Sequence, residues 1–277
     1  MLANFSKNSL LSSVDNFTAN PLVDAHLHIT ECLINEEYQP SSINYSAITC
    51  LHSKKEWETF LTHPSYKNPR IKKTFGLHPQ GCVKNSNDFN EYQDLDFLEK
   101  LLKEKKIHGI GEAGFDLFTE EFKSTLSAQK IAFEKQLDLA LFYQLPMVIH
   151  LRKAFDTIFL YSDQLKKIPA VIFHGFSGGS HEAFSILRKG INAYFSFGKV
   201  LLRGSRKACD CLFSLEPNRL LLETDAPYMT LKGEKFTSYK DIRKVYDFAY
   251  SLLSQKKSGL SFEDFCQGFS ENFKKIF

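Results

Sequence analysis

The sequence predicts an α/β fold, and within that class a (β/α)8 barrel. Eight short apolar segments alternate with longer segments of helical periodicity, and no repeat or long linker interrupts residues 21–277. The chain has 277 residues, enough for such a barrel, which typically needs about 250. No G-x-G-x-x-G sequence follows the first segment, which disfavours a dinucleotide-binding fold. An open, doubly wound parallel sheet is the alternative.

Each predicted strand is a short, mainly apolar run, and each predicted helix is a longer amphipathic one. The predicted strands are Leu22–His26, Tyr45–Cys50, Ile71–Gly76, Ile107–Gly111, Met147–His150, Ala170–His174, Asn192–Ser196 and Arg219–Thr224. The predicted helices include Leu95–Lys105, Thr125–Tyr143, Ala154–Leu165, Ser180–Arg188, Lys240–Ser254 and Ser261–Ile276. We expect one barrel domain over residues 21–277, preceded by a flexible lead-in at residues 1–20.

The composition is typical of a globular, water-soluble protein. A hydrophobic fraction of 43% and a charged fraction of 24% exclude a disordered chain or a coiled coil, and no apolar run is long enough for a membrane span. The net charge of +3 permits a nucleic acid partner without requiring one. The six cysteines include no C-x-x-C pair, so we expect reduced thiols and a cytoplasmic protein. No obligate protein partner is evident from the sequence.

Potential metal ligands recur where the predicted strands end. In a barrel these ends form the mouth of the active site. Residues alternate along a strand, so Asp24, His26 and His28 should share one face. The candidate ligands are His26, His28, Glu112, His150, His174 and Asp225. Four imidazoles and two carboxylates suit Zn²⁺, Mn²⁺ or a related ion, and two ions with a bridging carboxylate would use them all.

Two further carboxylates belong to the same strands. Glu223 shares a face with Asp225, and a buried carboxylate is costly unless it is paired or bound to a metal. We expect Asp24 and Glu223, and also Asp116, to orient the ligand side chains from behind.

Six motifs, in the order in which they occur in the TatD family of metal-dependent hydrolases, make this chain resemble that family. Its members are amidohydrolase-like TIM barrels. The motifs are VDAHLH (23–28), GLHP (76–79), GEAGFD (111–116), MVIHLR (147–152), IFHGFSGG (172–179) and LLLETDAP (220–227). The resemblance implies a TIM barrel of the metallo-dependent hydrolase type and a DNase activity, often exonucleolytic, with two divalent ions (Mg²⁺, Mn²⁺ or Zn²⁺) as cofactors.

The resemblance also implies a role for each candidate ligand. One ion would be held by His26, His28 and Asp225, the other by His150 and His174. Glu112 would bridge the two ions. A metal-activated water would attack the phosphorus of a phosphodiester, and Asp225 would orient or deprotonate that water.

Substrate contacts are predicted in the loops at the same end of the barrel. Basic residues after the fifth and seventh strands would hold phosphates: Arg152, Lys153, Lys199, Arg203, Arg206 and Lys207. By resemblance His78 lines the pocket, either contacting substrate or ordering its loop. Bases would stack on loop aromatics: Phe115, Phe118, Phe176 and Tyr228.

Two segments depart from the family pattern and put substrate choice in doubt. Leu151-Arg152-Lys153 lacks the usual acid, and Thr237-Ser238-Tyr239-Lys240 replaces an Arg-Asn-Pro-like segment. The first hypothesis for the function, which the resemblance implies, is a deoxyribonuclease that acts on single strands or ends. The alternative is a metal hydrolase of another ester or amide, such as an aminoacyl-tRNA or a cyclic amide. A non-enzymatic binding protein is disfavoured because all six ligands are present.

Overall fold

The computed structural model describes residues 22–35, 45–83, 91–256 and 259–277, and the predicted lead-in at residues 1–20 lies outside these ranges. Its eight strands run parallel and pair in chain order in a single sheet. This confirms the predicted (β/α)8 class. The strands are β1 (Leu22–Leu27), β2 (Tyr45–Leu51), β3 (Ile71–Phe75), β4 (Gly109–Asp116), β5 (Met147–Arg152), β6 (Val171–Phe173), β7 (Ala193–Phe197) and β8 (Leu220–Leu222).

The barrel is nearly closed between β1 and β8. Leu27 and Ala226 form a parallel bridge, and the backbone N–H of His28 donates to the Ala226 carbonyl at 2.8 Å. Closer to the amino-terminal end of β1, a side chain replaces the hydrogen bonds between the two backbones. The Asp24 carboxylate accepts hydrogen bonds from the backbone N–H of Thr224 at 2.9 Å and from its hydroxyl at 2.7 Å.

Helices follow the strands and cover the outside of the sheet. They are α1 (Ile29–Asn35), α2 (Lys54–Leu61), α3 (Glu91–Lys103), α4 (Glu120–Ser124), α5 (Leu126–Tyr143), α6 (Phe155–Phe159), α7 (Ser162–Leu165), α8 (Ser180–Arg188), α9 (Arg206–Ser214), α10 (Ile242–Ser254) and α11 (Phe262–Ile276). Two short helices, α6 and α7, replace the single helix predicted at 154–165, and a turn at Leu160 and Tyr161 separates them. None of the helices in the described ranges is both long and apolar enough to cross a membrane.

The barrel interior is filled from its amino-terminal end. Apolar side chains from β1, β2 and β5–β8 pack together with Phe273 and Ile276 of α11. Asn272 of the same helix donates to the carbonyls of Pro217 and Leu220, which anchors α11 beneath β8. Because this end is plugged, the carboxyl ends of the strands form the open end.

The backbones of β4 and β5 lie closer together than a Cβ atom on β4 would allow, and glycines in β4 make this approach possible. A Cβ atom on Gly114 would lie 2.1 Å from the His150 carbonyl oxygen, and one on Gly111 would lie 2.5 Å from that of Val148. Both glycines also have positive φ angles, of 142° and 148°. The close approach sets Glu112 of β4 beside His150 of β5.

Gly114→Ala should therefore destabilise the protein by at least about 2 kcal/mol, through strain and a backbone clash. Urea unfolding followed by circular dichroism measures this. Gly268→Ala is the matched control, because a Cβ at Gly268 in α11 meets no atom within 4 Å. That change should be neutral or stabilise by up to ~1 kcal/mol. Equal effects at the two positions would contradict the close-approach argument.

Candidate metal centre

A cavity of about 560 Å³ opens at the carboxyl ends of the strands. Imidazoles and carboxylates crowd its floor, and larger polar and aromatic side chains form its rim. Its lining includes His28, His52, His78, Glu112, His150, His174, Asp225, Arg152, Arg203 and Tyr228. This is the position in which barrel enzymes place their active sites.

Glu112 lies at the centre of the floor, and its carboxylate faces six imidazole nitrogens. It is 2% exposed. Around Oε2 lie the Nε2 atoms of His26 at 3.2 Å, His28 at 3.4 Å and His52 at 3.3 Å. Around Oε1 lie His174 Nε2 at 2.6 Å, His78 Nε2 at 3.4 Å and His150 Nδ1 at 3.4 Å. Each carboxylate oxygen therefore faces three imidazoles.

Asp225 adds a second carboxylate on the Oε2 side. Its Oδ1 atom is 3.5 Å from the Nε2 atoms of both His26 and His28. The residue follows β8 in a left-handed conformation with φ 55°, which aspartate tolerates better than most residues. Its backbone N–H donates to the His26 carbonyl at 2.9 Å, so the barrel closure also positions this side chain.

The spacing of these atoms fits metal ions. Ligand bonds to Zn²⁺ are about 2.0–2.2 Å long, so neighbouring ligands of one ion lie roughly 3.0–3.5 Å apart. The distances among His26, His28, Asp225 and Glu112 fall in this range. The His150 and His174 nitrogens are 3.1 Å apart beside the other oxygen of Glu112. Mixed nitrogen and oxygen donors suit Zn²⁺ and related divalent ions.

Both carboxylates of the floor are held in their charged form. Burial alone would raise the pKa of Glu112, but the imidazoles of His174 and His26 hold it well below its ordinary value. Burial opposes ionisation of Asp225 too, yet its hydrogen bond to His28 lowers its pKa. Burial lowers the pKa of His26 to about 4. Burial also opposes protonation of His28, but its hydrogen bond to Asp225 and the charge of Glu112 raise its pKa to about 10. At neutral pH the metal-free floor therefore balances two charged carboxylates against a protonated His28, and a bound cation would replace that positive charge.

Hydrogen-bond acceptors lie behind two of the candidate ligand histidines. Asp116 Oδ2 is 3.2 Å from His150 Nε2 and also accepts a hydrogen bond from Gln80 Nε2 at 2.7 Å. The Cys50 sulfur is 3.3 Å from His26 Nδ1. An acceptor at the remote nitrogen leaves the nitrogen that faces Glu112 free to bind a metal.

Asp24 is expected to orient a ligand histidine, and its contact with His26 is through the backbone. The register of β1 against β2 shifts between Asp24 and Leu27, so the strand does not keep simple alternation up to His28. The Asp24 carboxylate instead accepts the backbone N–H of His26 at 3.3 Å, besides its two bonds to Thr224. Glu223 lies nearer its predicted place, since its Oε1 atom is 4.0 Å from His174 Nδ1 and accepts the N–H of Gly175 at 2.7 Å.

Lys199 cannot be a substrate contact as expected, because its side chain is fully buried. Its ammonium group is 2.6 Å from carboxylate oxygens of both Glu234 and Asp241, and it donates to the Thr237 hydroxyl at 3.2 Å. These partners hold the segment that follows β8. The lysine therefore stabilises the rim of the cavity and leaves no free charge for phosphate.

The other side chains that are predicted to contact substrate are either exposed at the cavity or buried in the core. Arg152 and Arg203 line the cavity, and the Arg152 guanidinium lies 4.3 Å from the centre of the Phe118 ring. Phe118 and Tyr228 are each 49% exposed. Phe115 and Phe176 are buried in the core and cannot stack on a base.

His52 is a residue of the centre that the sequence analysis missed. It follows β2 outside every motif, and only its distance to Glu112 reveals it. Two buried glutamines of α5 were missed as well. Gln136 accepts the backbone N–H of Leu77 at 2.8 Å, and Gln129 accepts that of Asp116 at 2.9 Å, which fixes the ends of β3 and β4.

The barrel and its cluster of histidines and acids define a metal-dependent hydrolase. Comparison with known proteins is more specific: the chain belongs to the TatD-related DNase family, whose model matches residues 23–277. YabD of Bacillus subtilis, described as an uncharacterized metal-dependent hydrolase, is 28% identical over 204 residues, which are 73% of this chain and 75% of YabD. A protein of Edwardsiella piscicida named 3'-5' ssDNA/RNA exonuclease TatD is 34% identical over 157 residues, 56% of this chain and 58% of its own length.

Solved structures agree on the fold. The crystal structure of YjjV, a TatD homolog from Escherichia coli K12, matches with a TM-score of 0.75 at 22% identity and covers 92% of this chain and 97% of its own. A TatD family hydrolase of Entamoeba histolytica matches with a TM-score of 0.67 at 18% identity, covering 94% of this chain and 99% of its own.

Substitution of the buried Lys199 tests whether this residue stabilises the rim of the cavity. Lys199→Met should lower the free energy of unfolding by about 3 kcal/mol, because Glu234 and Asp241 lose their shared counterion. Thermal and urea unfolding measure this. Lys207→Met, at an exposed position of α9, is the control and should have almost no effect. A stable Lys199→Met protein that binds nucleic acid more weakly would contradict the structural role.

Proposed function

We propose that this protein is a phosphodiesterase that cleaves single-stranded DNA with two divalent metal ions. The observation that carries the proposal is the Glu112 carboxylate, each oxygen of which faces a separate group of imidazoles at the mouth of the barrel. A carboxylate so placed is suited to bridge two cations.

The residues divide into two ligand groups around that carboxylate. His26, His28 and Asp225 would hold one ion, and His150 and His174 would hold the other. Bound ions would supply Lewis-acid stabilisation of the phosphate and lower the pKa of a water molecule. Asp225, whose Oδ1 atom faces His26 and His28, would offer its second oxygen to orient that water. Burial of the floor keeps bulk solvent away and strengthens each of these electrostatic contacts.

The rim supports a nucleic acid substrate. Arg152 and Arg203 can pair with phosphates, and the exposed rings of Phe118 and Tyr228 can stack on bases without regard to sequence. The relatives named as single-stranded DNA and RNA exonucleases support the same substrate class. Another ester or amide is the competing substrate, because the same centre would activate water for attack on an acyl carbon.

Glu112→Gln should lose most of its bound metal and nearly all its nuclease activity, since the amide keeps the shape of the side chain but removes the charge shared by two cations. Metal content is measured by mass spectrometry after dialysis, and activity with end-labelled single-stranded DNA. Glu99→Gln, on the exposed side of α3, serves as the control. Full turnover by Glu112→Gln would contradict the bridging role. Cleavage of simple esters but not DNA or RNA by the unaltered protein would favour the competing substrate.

Neutralising one arginine of the rim should weaken DNA binding and flatten its dependence on salt. Each lost phosphate contact lowers the slope of log affinity against log salt by about 0.7 for a single strand. We expect this for Arg152→Gln and for Arg203→Gln, measured by fluorescence anisotropy at several salt concentrations with Ca²⁺ in place of a catalytic ion. Lys274→Gln, at an exposed position of α11 at the opposite end of the barrel, should leave the slope unchanged. An unchanged slope in both arginine variants would remove them from the binding site.

A further inference from the structure

Two imidazoles of the floor, His52 and His78, are not used by the ligand groups described above. They lie at the ends of the neighbouring strands β2 and β3, and their rings are 5.2 Å apart. Their Nε2 atoms are 3.3 Å and 3.4 Å from Glu112, and their side chains are 19% and 18% exposed. By distance and exposure the two histidines are equivalent.

The hydrogen bonds at their remote nitrogens differ. A backbone N–H, that of Gln80, donates to His78 Nδ1 at 3.3 Å. Since a backbone N–H can only donate, the proton of a neutral His78 must lie on Nε2, the nitrogen that faces the centre. That nitrogen then donates a hydrogen bond and has no lone pair for a metal.

His52 has no such restriction. Within the described ranges, no polar group lies within hydrogen-bonding distance of its buried Nδ1 atom. The proton can therefore reside on Nδ1, which leaves the Nε2 lone pair directed at the centre. His26 and His150 differ from His52 in that Cys50 and Asp116 lie within hydrogen-bonding distance of their remote nitrogens.

The backbone also holds His52 in position. Its N–H donates to Glu56 Oε2 at 2.7 Å, and the adjacent Ser53 caps α2 by accepting the N–H of Glu56 at 3.2 Å.

The ligand atoms of His28, His52 and Glu112 all lie within 4.8 Å of one another, as do those of His78, Glu112 and His150, so proximity alone does not separate His52 from His78. The Nε2 atoms of His28 and His52 lie 3.4 Å and 3.3 Å from Glu112 Oε2, within the roughly 3.0–3.5 Å that separates neighbouring ligands of one ion.

We propose that His52 is an additional metal ligand on the Oε2 side of Glu112, where it joins His26 and His28, and that His78 is not a ligand. This inference rests on the proposed metal centre. A third imidazole makes that side of the centre rich in nitrogen, and imidazole favours Zn²⁺ over Mg²⁺ and Mn²⁺, which prefer oxygen. The structure thus assigns the centre a preference for Zn²⁺.

The test compares metal binding in two variants of matched geometry, His52→Ala and His78→Ala, using the full chain stripped of metal. Zn²⁺ affinity is measured by competition with a chromophoric chelator, without nucleic acid. His52→Ala should bind Zn²⁺ at least about tenfold more weakly, whereas His78→Ala should stay close to the unaltered protein. With Co²⁺ as a probe, the visible absorption bands should shift in His52→Ala only. His181→Ala, on the exposed face of α8, controls for loss of an unrelated imidazole.

A second variant guards against loss of folding. His52→Asn keeps a polar side chain but offers an oxygen, so it should bind Mn²⁺ nearly as well as the unaltered protein while its preference for Zn²⁺ falls. Normal Zn²⁺ affinity in His52→Ala, or an equal loss in His78→Ala, would overturn the inference. A further variant, His26→Ala, tests the proposed metal centre itself. Normal Zn²⁺ binding in His26→Ala would contradict that centre, whatever the role of His52.

Discussion

The burial of one charged group, the Glu112 carboxylate, constrains the rest of this structure. An ionised carboxylate that is 2% exposed is costly unless opposite charge or hydrogen-bond donors surround it. Six imidazoles from five different strand ends surround this one. A parallel barrel suits such a group because the carboxyl ends of its strands converge on one axis. The glycines of β4 are part of the same solution, because they let β5 come close enough to deliver His150.

The supports of the centre come from parts of the chain far from it in sequence. Gln129 and Gln136 of α5 bind the backbone at the ends of β4 and β3, and so fix the segments that carry Asp116 and His78. Asp24 binds Thr224 and thereby joins the first strand to the last. Each of these polar side chains is buried and satisfied by backbone groups, which makes the strand ends rigid. The barrel itself therefore fixes the backbone that carries the candidate metal ligands.

The sequence predicted the barrel and the candidate ligands because both depend on local patterns. Short apolar runs mark the strands, and His26, Glu112, His150 and His174 stand directly at or beside their ends. It failed where the outcome depends on distant partners. Lys199 resembles a surface charge in sequence, but Glu234 and Asp241, more than thirty residues later, bury it. His52 has no motif around it, and its role follows only from the neighbours that the closed barrel gives it.

The centre and the rim are stabilised by different means, and this has a consequence for specificity. Backbone pairing and buried amides hold the floor, whereas contacts between side chains hold the rim. The ion pairs of Lys199 anchor the segment after β8, and the Tyr228 hydroxyl donates to Glu31 of α1 across the mouth. Substitutions in these rim contacts can move Tyr228 and its neighbours without displacing a ligand of the floor. The two departures from the family pattern lie at the end of β5, at residues 151–153, and in the segment after β8, at residues 237–240. Differences in the substrate admitted can therefore arise at the rim while the histidines and carboxylates of the floor stay in place.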